Sequence, residues 1–201
     1  EGLTKLGVCA FYGAPVLTIT LPKTLRNMHG SVFEKCKNLK TVTIEDGVTE
    51  IGASAFVTSG LESVVRIPKS VDEVGSLAFY GCKLKQVIFE ANDGTKIKEI
   101  GEMAFEQNRT LETAVLPDGL QEIAQQMFQD CDAMSRVYIP ASVQSIGLDA
   151  FQGCKLTDVY YGGTREQWNK IKKQKGNGAL GRAEFHENAS GAALQTAAQF
   201  F

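Results

Sequence analysis

The sequence is poor in the residues on which most enzymes and metal proteins depend. Its 201 residues hold two histidines, His29 and His186, far apart along the chain. No C-x-x-C pair occurs, so a zinc cage lacks ligands at the usual spacing. No metal or other cofactor is expected. No Ser/His/Asp set, paired-carboxylate pattern or phosphate-binding glycine loop is visible, so a non-enzymatic protein is expected. Basic residues are not in excess. Lys and Arg total 21 against 23 Asp and Glu, and the net charge is -2. Without a basic footprint, nucleic acid is excluded as the expected partner. No apolar run approaches the roughly 20 residues that span a bilayer, so no membrane insertion is expected. No basic and apolar leader follows Glu1, and the chain starts in mid-pattern, as a piece of a longer protein would.

What the sequence does have is a period. Phenylalanines recur at Phe11, Phe33, Phe56, Phe79, Phe105, Phe128 and Phe151, with spacings of 22, 23, 23, 26, 23 and 23. Ile51-Gly52-Ala53-Ser54-Ala55-Phe56 matches Val74 to Phe79, Ile100 to Phe105 and Ile146 to Phe151. Upstream of these lie short runs such as Val65-Arg66-Ile67-Pro68 and Val137-Tyr138-Ile139-Pro140. The alternating β-branched run reads as a strand. The proline ends it, because it cannot donate to a ladder. The glycine is expected to permit a tight turn, and alanine and phenylalanine to fill the space between coils. One unit cannot bury its own apolar side; stacked units bury it in a continuous core. Seven coils with parallel strands at about 4.8 Å would be about 30 Å long.

Three places depart from the period, one of them Ala124-Gln125-Gln126-Met127, where the usual glycine and alanine are replaced. Residues 90–96 form a polar, glycine-containing insertion expected to bulge as a loop. Met28-His29 stand where isoleucine and glycine usually stand, so that coil is expected to be distorted.

The five cysteines do not read as a disulfide framework. Cys36, Cys82, Cys131 and Cys154 each lie three residues after a repeat phenylalanine, and Asn108 fills the same place after Phe105. A position open to cysteine or asparagine is an inward corner, where a small polar side chain satisfies backbone groups that turn inward. The thiols are therefore expected to be free and buried, with Cys131 and Cys154 as neighbours. By the same logic the Asn108-Arg109-Thr110 acceptor pattern for glycosylation faces the core, while Asn188-Ala189-Ser190 is more exposed.

The period stops after Leu156. Val159-Tyr160-Tyr161 reads as one more strand, Thr164-Arg165-Glu166-Gln167 opens a helix with a capping box, and Ala183 to His186 suits an edge strand. Three segments are expected: a repeat array over 1–156, a cap over 157–188 plugged by Trp168, and a tail or linker over 189–201. Lys170, Lys172, Lys173 and Lys175 suit a solvated helix end.

The unit I-P-x-S-V-x-x-I-G-x-x-A-F-x-x-C, at Ile67 to Cys82 and again at Ile139 to Cys154, resembles the BspA-like leucine-rich repeats. Tyr161-Gly162-Gly163-Thr164-Arg165-Glu166-Gln167-Trp168 is similar to the ending that often closes such arrays. The likeness covers about residues 5–188. It implies a leucine-rich-repeat solenoid with a short parallel sheet on one face and a small α/β cap. It also implies a secreted or cell-surface protein with an adhesive or recognition role, and no catalytic residue to carry over.

A ligand is expected on the sheet face, where every second strand residue points outward. One outward row is Thr20, Thr43, Arg66, Ile88, Val115, Tyr138 and Tyr160; the other is Thr18, Thr41, Val64, Gln86, Thr113, Arg136 and Asp158. Aromatics and arginine side by side are what binding hot spots use. Arg66, Ile88, Val115, Arg136, Tyr138 and Tyr160 are thus the candidate binding residues for a protein or glycan, centred on Tyr138 and Tyr160. The bland alternative is that strands favour Ile, Val and Tyr whether or not anything binds. A monomer is expected. A structural spacer is the alternative function, and an enzyme the remaining one.

Overall fold

The computed structural model describes residues 2–90 and 97–191. Its strands, numbered in chain order, form two parallel series along a solenoid. The even series holds β2 (Thr18–Leu21), β4 (Thr41–Ile44), β6 (Val64–Ile67), β8 (Gln86–Phe89), β10 (Thr113–Val115), β12 (Arg136–Ile139), β14 (Asp158–Tyr161) and β16 (Glu184–His186). The odd series is made of two-residue strands: β1 (Lys5–Leu6), β3 (Asn27–Met28), β5 (Glu50–Ile51), β7 (Glu73–Val74), β9 (Glu99–Ile100), β11 (Glu122–Ile123), β13 (Ser145–Ile146) and β15 (Lys172–Lys173). Two short helices, α1 (Arg165–Lys170) and α2 (Gly178–Arg182), follow β14. Hydrogen-bonded order follows chain order, β6 through β16 in one sheet and β1 through β9 in another, with β2–β4 and β11–β13–β15 as separate ladders.

Identical positions stack on identical positions. Thr41 pairs with Thr18, Ile51 with Met28, and Tyr160 with Tyr138. The seven phenylalanines therefore form one column down the axis, their ring centroids 5.1–5.5 Å apart and nearly parallel from Phe11 to Phe105. Phe33 to Phe151 are fully buried, while Phe11 at the open end is 37% exposed. Each interior ring loses both faces to its neighbours, which is why one residue type recurs.

The phenylalanine arc is held by a third ladder. The backbone N–H groups of Ser54, Phe56 and Thr58 donate to the carbonyls of Ser76, Ala78 and Tyr80 in the next coil. Gln126, Phe128 and Asp130 donate in the same way to Leu148, Ala150 and Gln152. The residue two before each phenylalanine has positive φ in all seven coils, from Cys9 at 57° to Asp149 at 55°. None of these seven is glycine. The inter-coil hydrogen bonds hold a conformation that costs an isolated L-residue about 1–2 kcal/mol.

The repeat glycine is needed for another reason than the turn that its sequence context suggests. Gly75 and Gly147 are absent from the positive-φ residues. A side-chain carbon on Gly147 would lie 2.6 Å from the Gln125 nitrogen, and one on Gly75 would collide with the Ala53 backbone. Glycine sits there because consecutive coils touch backbone to backbone. The Met28-His29 coil is not distorted. Met28 is fully buried, and β3 stays in register with β1 and β5.

The even series reaches an eighth strand, one more than the phenylalanine count. β16 pairs in parallel with β14, joining Asp158 to Glu184 and Tyr160 to His186. Where an eighth phenylalanine arc would lie, the side chain of Asn177 stands in for backbone. Its Oδ1 accepts the Phe151 N–H at 3.0 Å, and its Nδ2 donates to the Gly147 carbonyl at 2.8 Å. α1 starts at Thr164, whose hydroxyl accepts the Gln167 N–H while the Gln167 side chain accepts the Thr164 N–H. Trp168 packs against Tyr161 and Phe185, with centroids 5.2 Å from both. Of the expected 90–96 loop, residues 91–96 lie outside the described residues, as do residues 192–201 of the expected tail.

Candidate functional site

The outward face of the even strands has three zones. Over β4 and β6 the pattern is strict alternation: Val42, Ile44, Val65 and Ile67 are buried, and Thr41, Thr43, Val64 and Arg66 are exposed. On β2, Thr18 and Thr20 are exposed as well. Val64, at 40%, is a large apolar side chain open to solvent. This first zone matches the expected outward rows, Arg66 included.

The second zone corrects that expectation. Ile88, Val115 and Tyr138 point away from the core and do not belong to its packed cluster, yet they are 0%, 1% and 5% exposed. They stand in register on β8, β10 and β12. The chain itself closes over Tyr138. After β16, the Asn188 N–H donates to the Gly163 carbonyl and the Ala189 N–H to the Tyr161 carbonyl, each at 2.9 Å. Gly191 then rests on the Tyr138 ring, so closely that a side-chain carbon there would lie 2.8 Å from the ring edge. The Tyr138 hydroxyl donates to Asp118 at 3.3 Å. Burial and the neighbouring Asp118 carboxylate push that hydroxyl up to about 12. A recess of about 360 Å³ remains between Phe89, Leu116, Pro117, Tyr138 and Ala189. Ile88, Val115 and Tyr138 are therefore not an open binding row as the chain stands. Alternation told which way they point but not what lies on top of them.

The third zone is the last two rungs. Tyr160 is half-buried and stacks on His186 with centroids 4.5 Å apart. His186 Nε2 lies 2.8 Å from Asp158 Oδ1, and the Thr157 hydroxyl donates to Asp158 Oδ2 at 2.7 Å. These contacts, Thr157 first and His186 second, hold the Asp158 carboxyl below its usual range. Arg136 is half-buried beside it, paired in register with Asp158. Glu184 completes the group from β16. Sequence reasoning missed this cluster. Asp158 and His186 are 28 residues apart, with both helices between them, and only the parallel pairing of β16 on β14 makes them neighbours.

The remaining candidates are structural. The cysteine at the inward corner donates to the preceding coil's phenylalanine carbonyl: Cys36 to Phe11, Cys82 to Phe56, Cys131 to Phe105 and Cys154 to Phe128, at 2.9–3.2 Å. Asn108 does the same for Phe79 at 2.8 Å, so the first glycosylation pattern is buried. Ser59 occupies the same corner and contacts Cys82 at 3.3 Å. All five thiols are free, and only Cys9 is exposed. Burial pushes Cys82 and Cys154 up to about 12, so they stay protonated and unreactive. In the lysine group, Lys170 pairs with Glu166 at 2.7 Å, and Lys173 donates to the Trp168 carbonyl at 2.6 Å, where a cation suits the helix end.

The sequence matches the BspA type leucine rich repeat region in six copies, over residues 1–66 and 60–173. The chain belongs to this family. Among solved structures it is similar to a leucine-rich repeat protein from Bacteroides ovatus, at 24% identity and a TM-score of 0.63, covering 78% of this chain and 46% of that one. It is similar to the T. pallidum leucine-rich repeat protein at 25% identity and a TM-score of 0.62, covering 75% of this chain and 70% of that one. A Eubacterium ventriosum leucine-rich repeat protein follows at 18% identity and 0.55, covering 78% and 51%. The chain thus spans less than half the length of the Bacteroides ovatus protein. No curated protein matches the sequence. No helix among the described residues is long and apolar enough to cross a membrane.

Proposed function

We propose that the chain is a non-catalytic recognition module of a secreted or cell-surface protein, binding a protein or glycan through the sheet face. One observation carries the reading. The outward side chains of β2, β4 and β6 form an exposed, regularly spaced surface that ends in Val64 and Arg66. A guanidinium is among the groups that binding hot spots favour, and the strand backbone beneath it is already ordered. The binding residues are then Val64 and Arg66 with the threonine rows, and Arg136 and Tyr160 at the far end. Family membership supports a repeat module that presents a surface. Residues 157–188 act as the cap, a reading supported by Trp168 packed between Tyr161 and Phe185.

Biolayer interferometry against matrix proteins and glycans tests the reading, with the parent beside Val64→Ser/Arg66→Glu. The parent is expected to bind one member, and the double variant to bind it at least tenfold more weakly, a loss of about 1.4 kcal/mol or more. Equal binding by a folded variant sinks this face. A structural spacer is the second reading, favoured by the closed middle of the sheet, and a parent that binds nothing in the panel supports it.

A further inference from the structure

The cluster on the last two rungs is arranged to hold a metal ion. Asp158, Glu184 and His186 each offer one ligand atom, and those atoms lie within 4.8 Å of one another. The backbone sets this up. Asp158 and Glu184 are register partners on β14 and β16, so their side chains leave the sheet side by side. His186 is two residues beyond Glu184 and leaves from the same face.

Two contacts outside the ligand set fix its orientation. The Tyr160 ring stacks on the imidazole at 4.5 Å and limits its rotation. The Thr157 hydroxyl occupies Asp158 Oδ2 at 2.7 Å and leaves Oδ1 facing His186 Nε2. Such outer contacts are what orient the ligands of a metal site. The nearby charges are Arg136, in register with Asp158, and the two carboxylates. A divalent ion would neutralise the carboxylates.

We propose that Asp158 Oδ1, a Glu184 carboxylate oxygen and His186 Nε2 form a site for a divalent cation of the zinc type. One imidazole with two carboxylates suits zinc over calcium or magnesium, which prefer oxygen alone. The imidazole binds through Nε2 with its proton on Nδ1, and the Asp158–His186 hydrogen bond gives way to two bonds to the metal. Three protein ligands leave a coordination position open toward solvent, as in zinc sites that take up an exogenous ligand. The site shares its neighbours Tyr160 and Arg136 with the proposed binding face, but zinc binding there requires no partner on that face.

Isothermal titration calorimetry of the whole chain with zinc ion, and separately with magnesium ion, tests it. Zinc is expected to bind at one per chain and magnesium far more weakly. His186→Ala and Glu184→Gln are expected to weaken zinc binding by at least 10–100-fold, the range seen for loss of outer contacts alone. His29→Ala and Cys9→Ser, which remove the other histidine and the exposed thiol, are expected to leave it unchanged. Circular dichroism of each variant establishes that it is folded, and Glu184→Gln, an exposed isosteric change, keeps the test open if His186→Ala is not. Absence of zinc binding by the parent overturns the proposal. So does zinc binding that survives in folded Glu184→Gln, or that is lost in Cys9→Ser or His29→Ala.

Discussion

The inner column of the solenoid and the outward face of its even strands are made by the same chain at the same rise per coil, yet they carry very different residues. Inside, the same few residue types recur: seven phenylalanines at one level and cysteine, serine or asparagine at the inward corner. Outside, the corresponding positions run from threonine through valine, arginine and isoleucine to tyrosine. The difference lies in what each position must satisfy. An interior ring has to fill a gap set by the rings above and below. A corner side chain has to meet a carbonyl that water cannot reach. An outward side chain has to suit only a strand, unless something covers it. In the middle of the face something does, and there Ile88, Val115 and Tyr138 are as buried as the core.

The largest expected effect separates the middle of the column from its open end. Phe105→Ala removes a ring stacked on both sides, at 5.4 Å from Phe79 and 5.5 Å from Phe128. It is expected to cost about 3–5 kcal/mol in urea unfolding, as buried Phe→Ala changes do. Phe11→Ala, at an end where the ring is 37% exposed, is expected to cost much less. Equal losses would mean that the column does not act as a stack.

A smaller effect tests the corner. Cys131→Ala removes one of two donors to the Phe105 carbonyl, which keeps Asn108 Nδ2, and is expected to cost about 0.5–1.5 kcal/mol. A disulfide-exchange reagent is expected to label one thiol per native chain, Cys9, and all five only after unfolding. Rapid labelling of two or more in the native protein would break the claim that the corner is sealed.

The smallest effect concerns the odd series, where Glu50, Glu73 and Glu99 stand in register. Burial first, then Glu50 and Glu99, raises the Glu73 carboxyl above its ordinary value. A carboxyl raised on folding binds protons more readily in the folded chain, so stability falls as pH rises through its folded pKa. Glu73→Gln is therefore expected to stabilise the protein near pH 7, by no more than about 0.5 kcal/mol for so exposed a site. The gain is expected to vanish below about pH 4, where the carboxyl is protonated folded or unfolded. Thermal melts at the two pH values check it, and a loss of stability near pH 7 would reverse the sign argued here.

Much of this was legible in the residues themselves. The phenylalanine spacing located every coil up to Phe151, and the mixed Cys/Asn position revealed its own hydrogen-bonding task. The repeat glycine was visible, but its reason was not. Sequence context suggests a turn at Gly75 and Gly147, whereas the requirement is set by a backbone in the preceding coil, 22 residues away between Gly147 and Gln125. The candidate face was legible only in direction. Tyr138 does point outward, but Gly191, far along the chain, lies on it. The Asp158–Glu184–His186 group was invisible, since β16 belongs to no repeat.

The sequence by itself determined the coil: its length, its inward and outward sides, and which residues stack, because a period repeated in one dimension makes every neighbour a copy of the last. Only the tertiary structure decided which parts of the outward face stay open and which side chains meet beyond the last repeat. Those outcomes depend on segments that leave the period and return across the stack, and no local pattern records where such a segment comes to rest.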